Sequence, residues 1–231
     1  MGPPYGTDGR GAGIPGDGIA GMCHCAGMAE PWEHLLPPPS GDNEARFHRV
    51  AWAMAGTLLA AGPDALQVAR IARRAGVSRP WISKYLGADP DERLAFAVRL
   101  YGRAFAAPDT GAPPADGPAW LAAVDAGTRK GLHDMLAAPW CVLVYVRYRH
   151  ANNVVGAHVR GVEREALADL VARMPAALRR DRARAERFAW GLHAARMGVY
   201  HQWLDPAFRD AVGEDGALAP ILALARTFAA G

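Results

Sequence analysis

The chain is poor in cysteine and has no long apolar run. Its 231 residues include only three cysteines, too few for the disulfide framework that holds a small secreted domain together. The longest apolar stretches, such as residues 50–61 and 137–146, are too short or too interrupted for a membrane-spanning helix, which needs about 20 apolar residues. No basic segment followed by an apolar one stands at the N-terminus. We therefore expect a cytoplasmic protein without a membrane partner.

Neither a strand pattern nor a common enzyme motif is evident. Apolar and polar residues do not alternate with the period that a half-buried strand requires. The sequence also lacks a Gly-rich phosphate loop, a zinc-binding H-E-x-x-H motif and the nucleophile turn of serine hydrolases. From residue 45 onward, apolar side chains recur at helical spacing between Gly and Pro breaks. The sequence therefore predicts an all-α fold, no enzymatic activity and no cofactor.

Residues 1–44 contain ten of the 26 glycines and seven of the 18 prolines. This composition cannot bury enough apolar surface to offset the entropy of ordering, so a disordered tail is expected. Within it, Cys23-His24-Cys25 resembles a metal motif, but a closed zinc site takes four ligands and only His34 lies near enough to help. We expect no metal site. A later start, at Met22 or Met28, is the alternative explanation of this segment.

Positive charge is concentrated in one quarter of the chain. The formal net charge is +3, yet residues 45–105 hold ten Lys or Arg against four Asp or Glu. That segment is therefore +6 and the rest of the chain −3. A module that binds phosphates needs such a local excess. Solvated charges on many helices are the alternative explanation, because arginine is common along the whole sequence.

Residues 67–87, QVARIARRAGVSRPWISKYLG, have the layout of a helix-turn-helix. Gly76 suits the left-handed conformation that ends a helix, and Ser78 can cap the next helix. Ile82 and Leu86, four residues apart, would anchor that second helix to a core. Its outward face then carries Arg79, Pro80, Trp81, Ser83 and Lys84, where the major groove of DNA would lie. A buried helical hairpin is the alternative, but it leaves an exposed tryptophan unexplained.

The stretch GPDALQVARIARRAGVSRPWISKYLGADPDERLAFAV, residues 62–98, resembles the DNA-binding part of the TetR family of transcription regulators. The likeness covers residues 46–105 in its motifs and the remainder only in its general helical layout. It implies a ligand-responsive repressor that binds a palindromic operator in double-stranded DNA as a homodimer and is released by a small-molecule effector. Ser83 stands where the family usually has a phosphate-contacting Tyr, and acidic residues replace its Lys near the fourth helix. Lys84 and Tyr85 would partly substitute for these contacts.

The resemblance and the motif together define the expected DNA-binding residues and the domain plan. The DNA-binding residues are Arg46, Gln67, Ser78, Arg79, Pro80, Trp81, Ser83, Lys84 and Tyr85. The plan is a disordered tail over 1–44, a helix-turn-helix domain over 45–107, a Pro/Gly linker over 108–118 and a ligand-binding and dimerisation domain over 119–231. Helices are expected at 45–61, 67–75, 79–86, 90–106, 119–137, 140–155, 158–173, 181–203 and 207–229.

The second domain is rich in aromatic, His and Met side chains, which can line a cavity and still offer polar atoms. We expect it to hold a small, largely apolar or aromatic effector. The predicted lining is Trp120, Met135, Trp140, Tyr145, Tyr148, Trp190, His193 and Met197. His193, Met197 and His201 share one helix face, which would suit a soft metal, although ordinary core packing explains such a stripe more simply.

The last two helices carry more apolar positions than packing on their own domain requires, which predicts a dimer seam. The positions are Phe188, Leu192, Val199 and Trp203 on one helix and Leu218, Ile221, Leu222, Ala225 and Phe228 on the other. Two such helices from each of two copies would form a four-helix seam.

A Cro-like regulator without a small-molecule effector is the alternative function, because the Ala-Gly-Val-Ser stretch at 75–78 occurs in that class as well. Against it, a Cro-like unit normally adds two further helices before its linker.

Overall fold

The computed structural model describes residues 41–106 and 113–230. These residues form nine α-helices and a short 3-10 helix at Pro63–Ala65, with no strand among them. The prediction of an all-α fold is confirmed for this part of the chain. The helices are α1 (Asp42–Ala61), α2 (Val68–Ala75), α3 (Arg79–Leu86), α4 (Pro90–Ala106), α5 (Gly117–Ala137), α6 (Trp140–Tyr148), α7 (Val154–Ala172), α8 (Arg182–Trp203) and α9 (Pro206–Ala230).

The predicted tail lies almost wholly outside the described residues, and so does Cys23-His24-Cys25. α1 nevertheless begins at Asp42, three residues inside the segment that the sequence assigned to the tail. Asp42 and Glu44 stand in its first turn, where negative charge is favourable beside the unpaired backbone N–H groups of a helix. None of the helices in 41–106 and 113–230 combines the length and the apolar character that crossing a bilayer requires.

Helix boundaries follow the local capping residues. α3 and α4 have the predicted bounds, whereas the helix predicted over 140–155 ends at Tyr148. The Asn153 side chain accepts a hydrogen bond of 2.9 Å from the Gly156 N–H and so begins α7 at Val154. Asn is among the preferred residues at this position because its oxygen satisfies an otherwise unpaired donor. α9 is kinked at Gly213, where φ is +68°.

The four N-terminal helices share one apolar core with α6 and α7. Met54 of α1, Ile71 of α2 and Ile82 of α3 are fully buried. They belong to the same cluster as Trp140 of α6 and Val159 of α7. α4 makes its most extensive helix contact with α7. α1 and α4, which pack on α2 and α3, therefore also contact helices that lie beyond the predicted linker in sequence.

α5, α8 and α9 enclose a second core. The Phe188 and Phe228 rings stack with centroids 4.0 Å apart, and Trp120 lies 5.7 Å from Phe188. Most side chains predicted for the dimer seam are buried within the chain itself, namely Phe188, Leu192, Trp203, Leu218, Ile221, Ala225 and Phe228. α5 packs on both α8 and α9, so these side chains do not form an exposed seam. The large apolar side chains that α8 and α9 do expose include Trp190 and Leu224.

Gly156 lets α7 approach the preceding loop closely. A Cβ at this position would lie 2.8 Å from the carbonyl oxygen of Tyr148 and closer still to that of Ala151. Both are backbone atoms that cannot rotate away, so we expect Gly156→Ala to lower the free energy of unfolding by about 1–3 kcal/mol. Gly161→Ala is a matched control on the same helix, where a Cβ would meet nothing within 4 Å. It should raise stability by about 0.5–1 kcal/mol because alanine favours the helix. Urea unfolding measures both, and equal effects would contradict the packing described here.

Candidate functional site

The residues between α2 and α3 adopt the helix-capping conformations that the sequence predicts. Gly76 adopts φ 64° and ψ 35°, the left-handed conformation that ends α2, and its N–H bonds to the Ala72 carbonyl oxygen. The Ser78 hydroxyl oxygen accepts a hydrogen bond of 3.3 Å from the Trp81 N–H and caps α3. Pro80 stands in the first turn of α3, where a helix has no bond to lose. The local prediction from the sequence is confirmed at each of these positions.

α3 has one buried and one exposed face. Ile82 and Leu86 are buried in the N-terminal core. The exposed face carries Arg79, Pro80, Ser83, Lys84 and Tyr85. Of the other predicted contacts, Gln67 is exposed just before α2 and Arg46 is half-buried on α1. The structure therefore presents a short polar and basic helix face that is held by apolar anchors behind it.

Trp81 does not share that outward position. Its ring lies 5.0 Å from Phe47 of α1 and 4.9 Å from Tyr85, and its side chain is half-buried against the N-terminal core. The indole N–H is buried and has no hydrogen-bond partner among the described residues. The exposure predicted for Trp81 is wrong because α1, distant in sequence, supplies Phe47 as a packing partner. The outward face of α3 therefore carries exposed cations without this tryptophan.

The basic side chains of α2 and α3 have no counter-ions among the described residues. No ion pair or hydrogen bond there involves the exposed side chains of Arg70, Arg73, Arg74, Arg79 or Lys84. Some arginines of the C-terminal helices are paired, for example Arg129, which contacts Glu214 at 2.9 Å and Asp215 at 2.7 Å. A surface with uncompensated positive charge attracts an anionic partner over a range of about 8–10 Å at physiological salt.

A second group of polar residues joins α6, α7 and α8 around the buried carboxylate of Glu163. Its Oε1 atom accepts hydrogen bonds from the Tyr145 hydroxyl at 2.6 Å and from the Arg149 Nε at 2.9 Å. His193 Nε2 lies 3.5 Å from the same oxygen, at the limit of hydrogen bonding. The Arg149 guanidinium also lies 5.7 Å from the centroid of Trp190, whose side chain is 44% exposed. Polar and aromatic side chains therefore lie in contact between the exposed Trp190 ring and the buried Glu163 carboxylate.

The pKa values in this group follow from burial. Burial, followed by the hydrogen bond to the Glu163 carboxylate, raises the pKa of the Tyr145 hydroxyl. Burial also lowers the pKa of His193, although the nearby Glu163 carboxylate opposes that effect. At neutral pH the Tyr145 phenol and the His193 imidazole are therefore neutral, and both can orient a ligand by hydrogen bonds.

The predicted effector lining is divided among several parts of the fold. Tyr145, Trp190 and His193 come together around Glu163 and Arg149. The other predicted residues lie elsewhere. Trp120 packs in the core of α5, α8 and α9. Met135 and Met197 pack near Tyr200 and Trp203, whereas Trp140 and Tyr148 lie in the N-terminal core. Sequence reasoning missed Arg149 and Glu163. The four-residue spacing of Tyr145 and Arg149 was the available signal, but nothing local indicates that α7 supplies their carboxylate.

Two further observations bear on the chemistry of the described residues. His201 is exposed and Met197 half-buried, and no cluster of three or more His, Cys, Asp or Glu side chains in 41–106 and 113–230 could hold a metal ion. On α8, the half-buried Arg196 donates to two neutral acceptors, the Thr128 hydroxyl at 3.1 Å and the Val124 carbonyl at 3.3 Å. These bonds join α8 to α5.

No protein-family model matches the chain, and neither does any curated protein sequence or any solved structure.

His193 makes stability depend on pH in a predictable direction. Because burial lowers its pKa in the folded chain, the unfolded chain takes up the proton first as pH falls through about 6.5. The stability contributed by neutral His193 is complete above that pH and is lost below it. We expect the wild type to lose more free energy of unfolding than His193→Phe between about pH 7.5 and about pH 5.5. Urea unfolding at both pH values measures the difference.

His48 and His158 also have lowered pKa values, but they are present in both proteins and cancel in the comparison. Phe keeps the ring beside Tyr145, where the imidazole makes an edge contact with centroids 5.6 Å apart. Parallel pH curves for the two proteins would show that His193 is not the desolvated group described here.

Proposed function

We propose that this chain is a non-enzymatic, sequence-specific regulator of transcription that binds double-stranded DNA, of the TetR type suggested by its helix-turn-helix sequence. The observation that carries the proposal is α3, a capped helix with a basic exposed face and no counter-ions within the described chain. An α-helix with its side chains is about 10–12 Å across, which fits the roughly 12 Å width of the major groove.

The residues of α3 divide into two roles by position and chemistry. Arg79 stands at the N-terminal end of the helix, the part that usually contacts base edges in this motif. Its guanidinium can bind guanine with two hydrogen bonds, whereas Ser83 can donate to or accept from several bases. Lys84, whose ammonium group lies 5.0 Å from the Tyr85 ring centroid, suits a phosphate because a point charge carries no base preference.

A homodimer on a palindromic operator accompanies this proposal. Two recognition helices related by two-fold symmetry would read half-sites one DNA turn apart. The surface that supports it is the exposed part of α8 and α9, where Trp190 and Leu224 stand outward and Gly191 leaves room beside Leu224. Large exposed apolar side chains that flank a small residue suit close helix packing between copies.

The effector in this proposal is a small, largely apolar or aromatic molecule whose binding releases the operator. Tyr145, Trp190 and His193 support it because they combine aromatic surface with oriented polar atoms at the junction of α6, α7 and α8. Ligand binding shifts the protein only through a difference in affinity between its conformations. We propose that the effector favours a dimer whose two α3 helices no longer match successive major grooves.

DNA binding is tested with a duplex that the wild type selects from a random library. We expect Arg79→Ala to weaken binding by about 1–3 kcal/mol and to relax base preference at one position per half-site. Lys84→Ala should weaken all sequences alike and reduce the salt slope by about one unit. Fluorescence anisotropy at several salt concentrations measures both effects, and sedimentation of the complex should give two chains per duplex.

The matched control for this test is Arg182→Ala. Arg182 is also an exposed arginine, but it lies on α8 and pairs with Glu186 at 2.8 Å. The Arg182→Ala variant should bind the selected duplex with the same affinity as the wild type. Failure of the wild type to select any sequence, or equal binding by Arg79→Ala and Arg182→Ala, would overturn the assignment of α3 to DNA.

Effector binding is tested with three aromatic probes of different charge: indole, benzoate and benzamidine. We expect at least one of them to raise the thermal midpoint of the wild type and to weaken its binding to the selected duplex. Tyr145→Ala should abolish both responses while its operator affinity stays within a few-fold of the wild type, because Tyr145 is remote from α3 in sequence and lies on α6. If none of the three probes changes the affinity for the duplex, the result would favour the Cro-like alternative, a regulator without a small-molecule effector.

A further inference from the structure

A hollow between α1 and α2 collects three arginines. Its volume is about 350 Å³, and it is lined by Thr57, Ala60, Ala61, Arg70, Arg73 and Arg74. The two alanines and the buried Thr57 leave space on the α1 side, while all the charged groups come from α2. This hollow is separate from the exposed face of α3, because none of its lining residues lies on that helix.

The arginines span the outward face of α2. Their spacing of three and four residues places them side by side on a helix, and the opposite face carries Ile71, Ala72 and Ala75, which are buried. Like charges at this spacing repel and destabilise an isolated helix by a few tenths of a kcal/mol per pair. The three arginines of α2 therefore do not stabilise the helix that carries them.

Gly56 of α1 leaves space for the guanidinium group of Arg74. A Cβ on Gly56 would lie 2.6 Å from Nη2 of Arg74 and 3.0 Å from its guanidinium carbon. The guanidinium therefore lies against α1 beside Gly56, where no side chain intervenes. Arg74 also lines the hollow.

The described chain does not neutralise this charge. No acidic residue lines the hollow, and none of the three guanidinium groups has an ion-pair partner within 41–106 and 113–230. The last turn of α1 lies beside them, but a helix C-terminus supplies only about half a negative charge. Against three positive charges this leaves an excess of about two and a half. The dipole of α1 therefore cannot account for the cluster.

We propose that this hollow binds phosphate groups. Guanidinium groups suit phosphate because their planar N–H donors match its oxygens two at a time, and three of them favour a multiply charged anion over a lone carboxylate. The phosphate can come from a free compound with several phosphates or from the backbone of DNA that α3 has already bound. Only the second source depends on the proposed function.

The test uses the full chain, a triple variant and a control of equal charge. The hollow triple, Arg70→Ala/Arg73→Ala/Arg74→Ala, removes the three charged side chains that line the hollow. Arg164→Ala/Arg179→Ala/Arg180→Ala removes three other exposed arginines and changes the net charge by the same amount. Gly56→Ala adds a test without any change in charge, because its Cβ would displace the Arg74 guanidinium. Circular dichroism and thermal midpoints establish that each variant is folded.

The first arm measures binding of inorganic tripolyphosphate by calorimetry, without DNA and at constant ionic strength. The wild type and the control triple should bind alike, the hollow triple at least tenfold more weakly, and Gly56→Ala between these limits. The second arm measures the salt slope for the selected duplex, which should fall by about 0.9 for each DNA phosphate that the hollow triple no longer neutralises. An effect in the first arm alone indicates a free phosphate compound, and an effect in the second alone indicates the DNA backbone.

Equal behaviour of the hollow triple and the control triple in both arms would overturn the phosphate site. Failure of the wild type to bind any duplex, together with tripolyphosphate binding that the hollow triple abolishes, would instead reject the proposed DNA function and support this site. The two proposals therefore fail independently.

Discussion

The position of α3 depends on an apolar core that it cannot provide for itself. A helix of eight residues is not stable alone in water, because isolated helices shorter than about 12–15 residues are marginal. Ile82 and Leu86 are its buried anchors, and both pack into a cluster that also contains Met54 of α1 and Leu94 of α4. The half-buried Trp81 packs against the same cluster. That cluster continues into α6 and α7. The basic face of α3 is thus oriented by the interior of the whole N-terminal half and by helices beyond residue 140.

α7 is the element that connects the two candidate sites. Val162 of α7 lies close to α4, where a Cβ on Gly102 would be 3.0 Å from its side chain. The next residue, Glu163, turns the other way and accepts hydrogen bonds from Tyr145 and Arg149 of α6. A close-packed interface does not deform continuously, so a shift at one side of a helix is passed on to its other side. An effector that moved Glu163 would act on α4, and through α4 on α3, by a direct route.

Charge is distributed unequally between the two halves for a physical reason. In the C-terminal helices, arginines such as Arg129 and Arg173 meet carboxylates of the same chain, and these pairs contribute little at the surface. The arginines of α2 and α3 have no such partners within the described residues. Their repulsion is tolerable when the helices that carry them are fixed by a core. The fold therefore provides the rigidity that lets a basic surface persist without an anion.

Local chemistry allowed the sequence by itself to determine the helical class, the bounds of α3 and α4, the left-handed Gly76 and the cap at Ser78. Each of these depends on residues within about four positions of one another, where propensity and capping act. The buried face of α3 was also predictable, because a four-residue spacing of apolar side chains defines it without reference to any partner.

Only the tertiary structure decided which helix covers each remaining face. Trp81 packs on Phe47 of α1, Phe188 and Ile221 are buried within the chain, and Tyr145 meets Glu163 from another helix. A helical pattern shows that a side chain is apolar or polar and on which side it stands, but not what lies opposite. That choice is made by contacts between residues distant in sequence, which local periodicity does not encode.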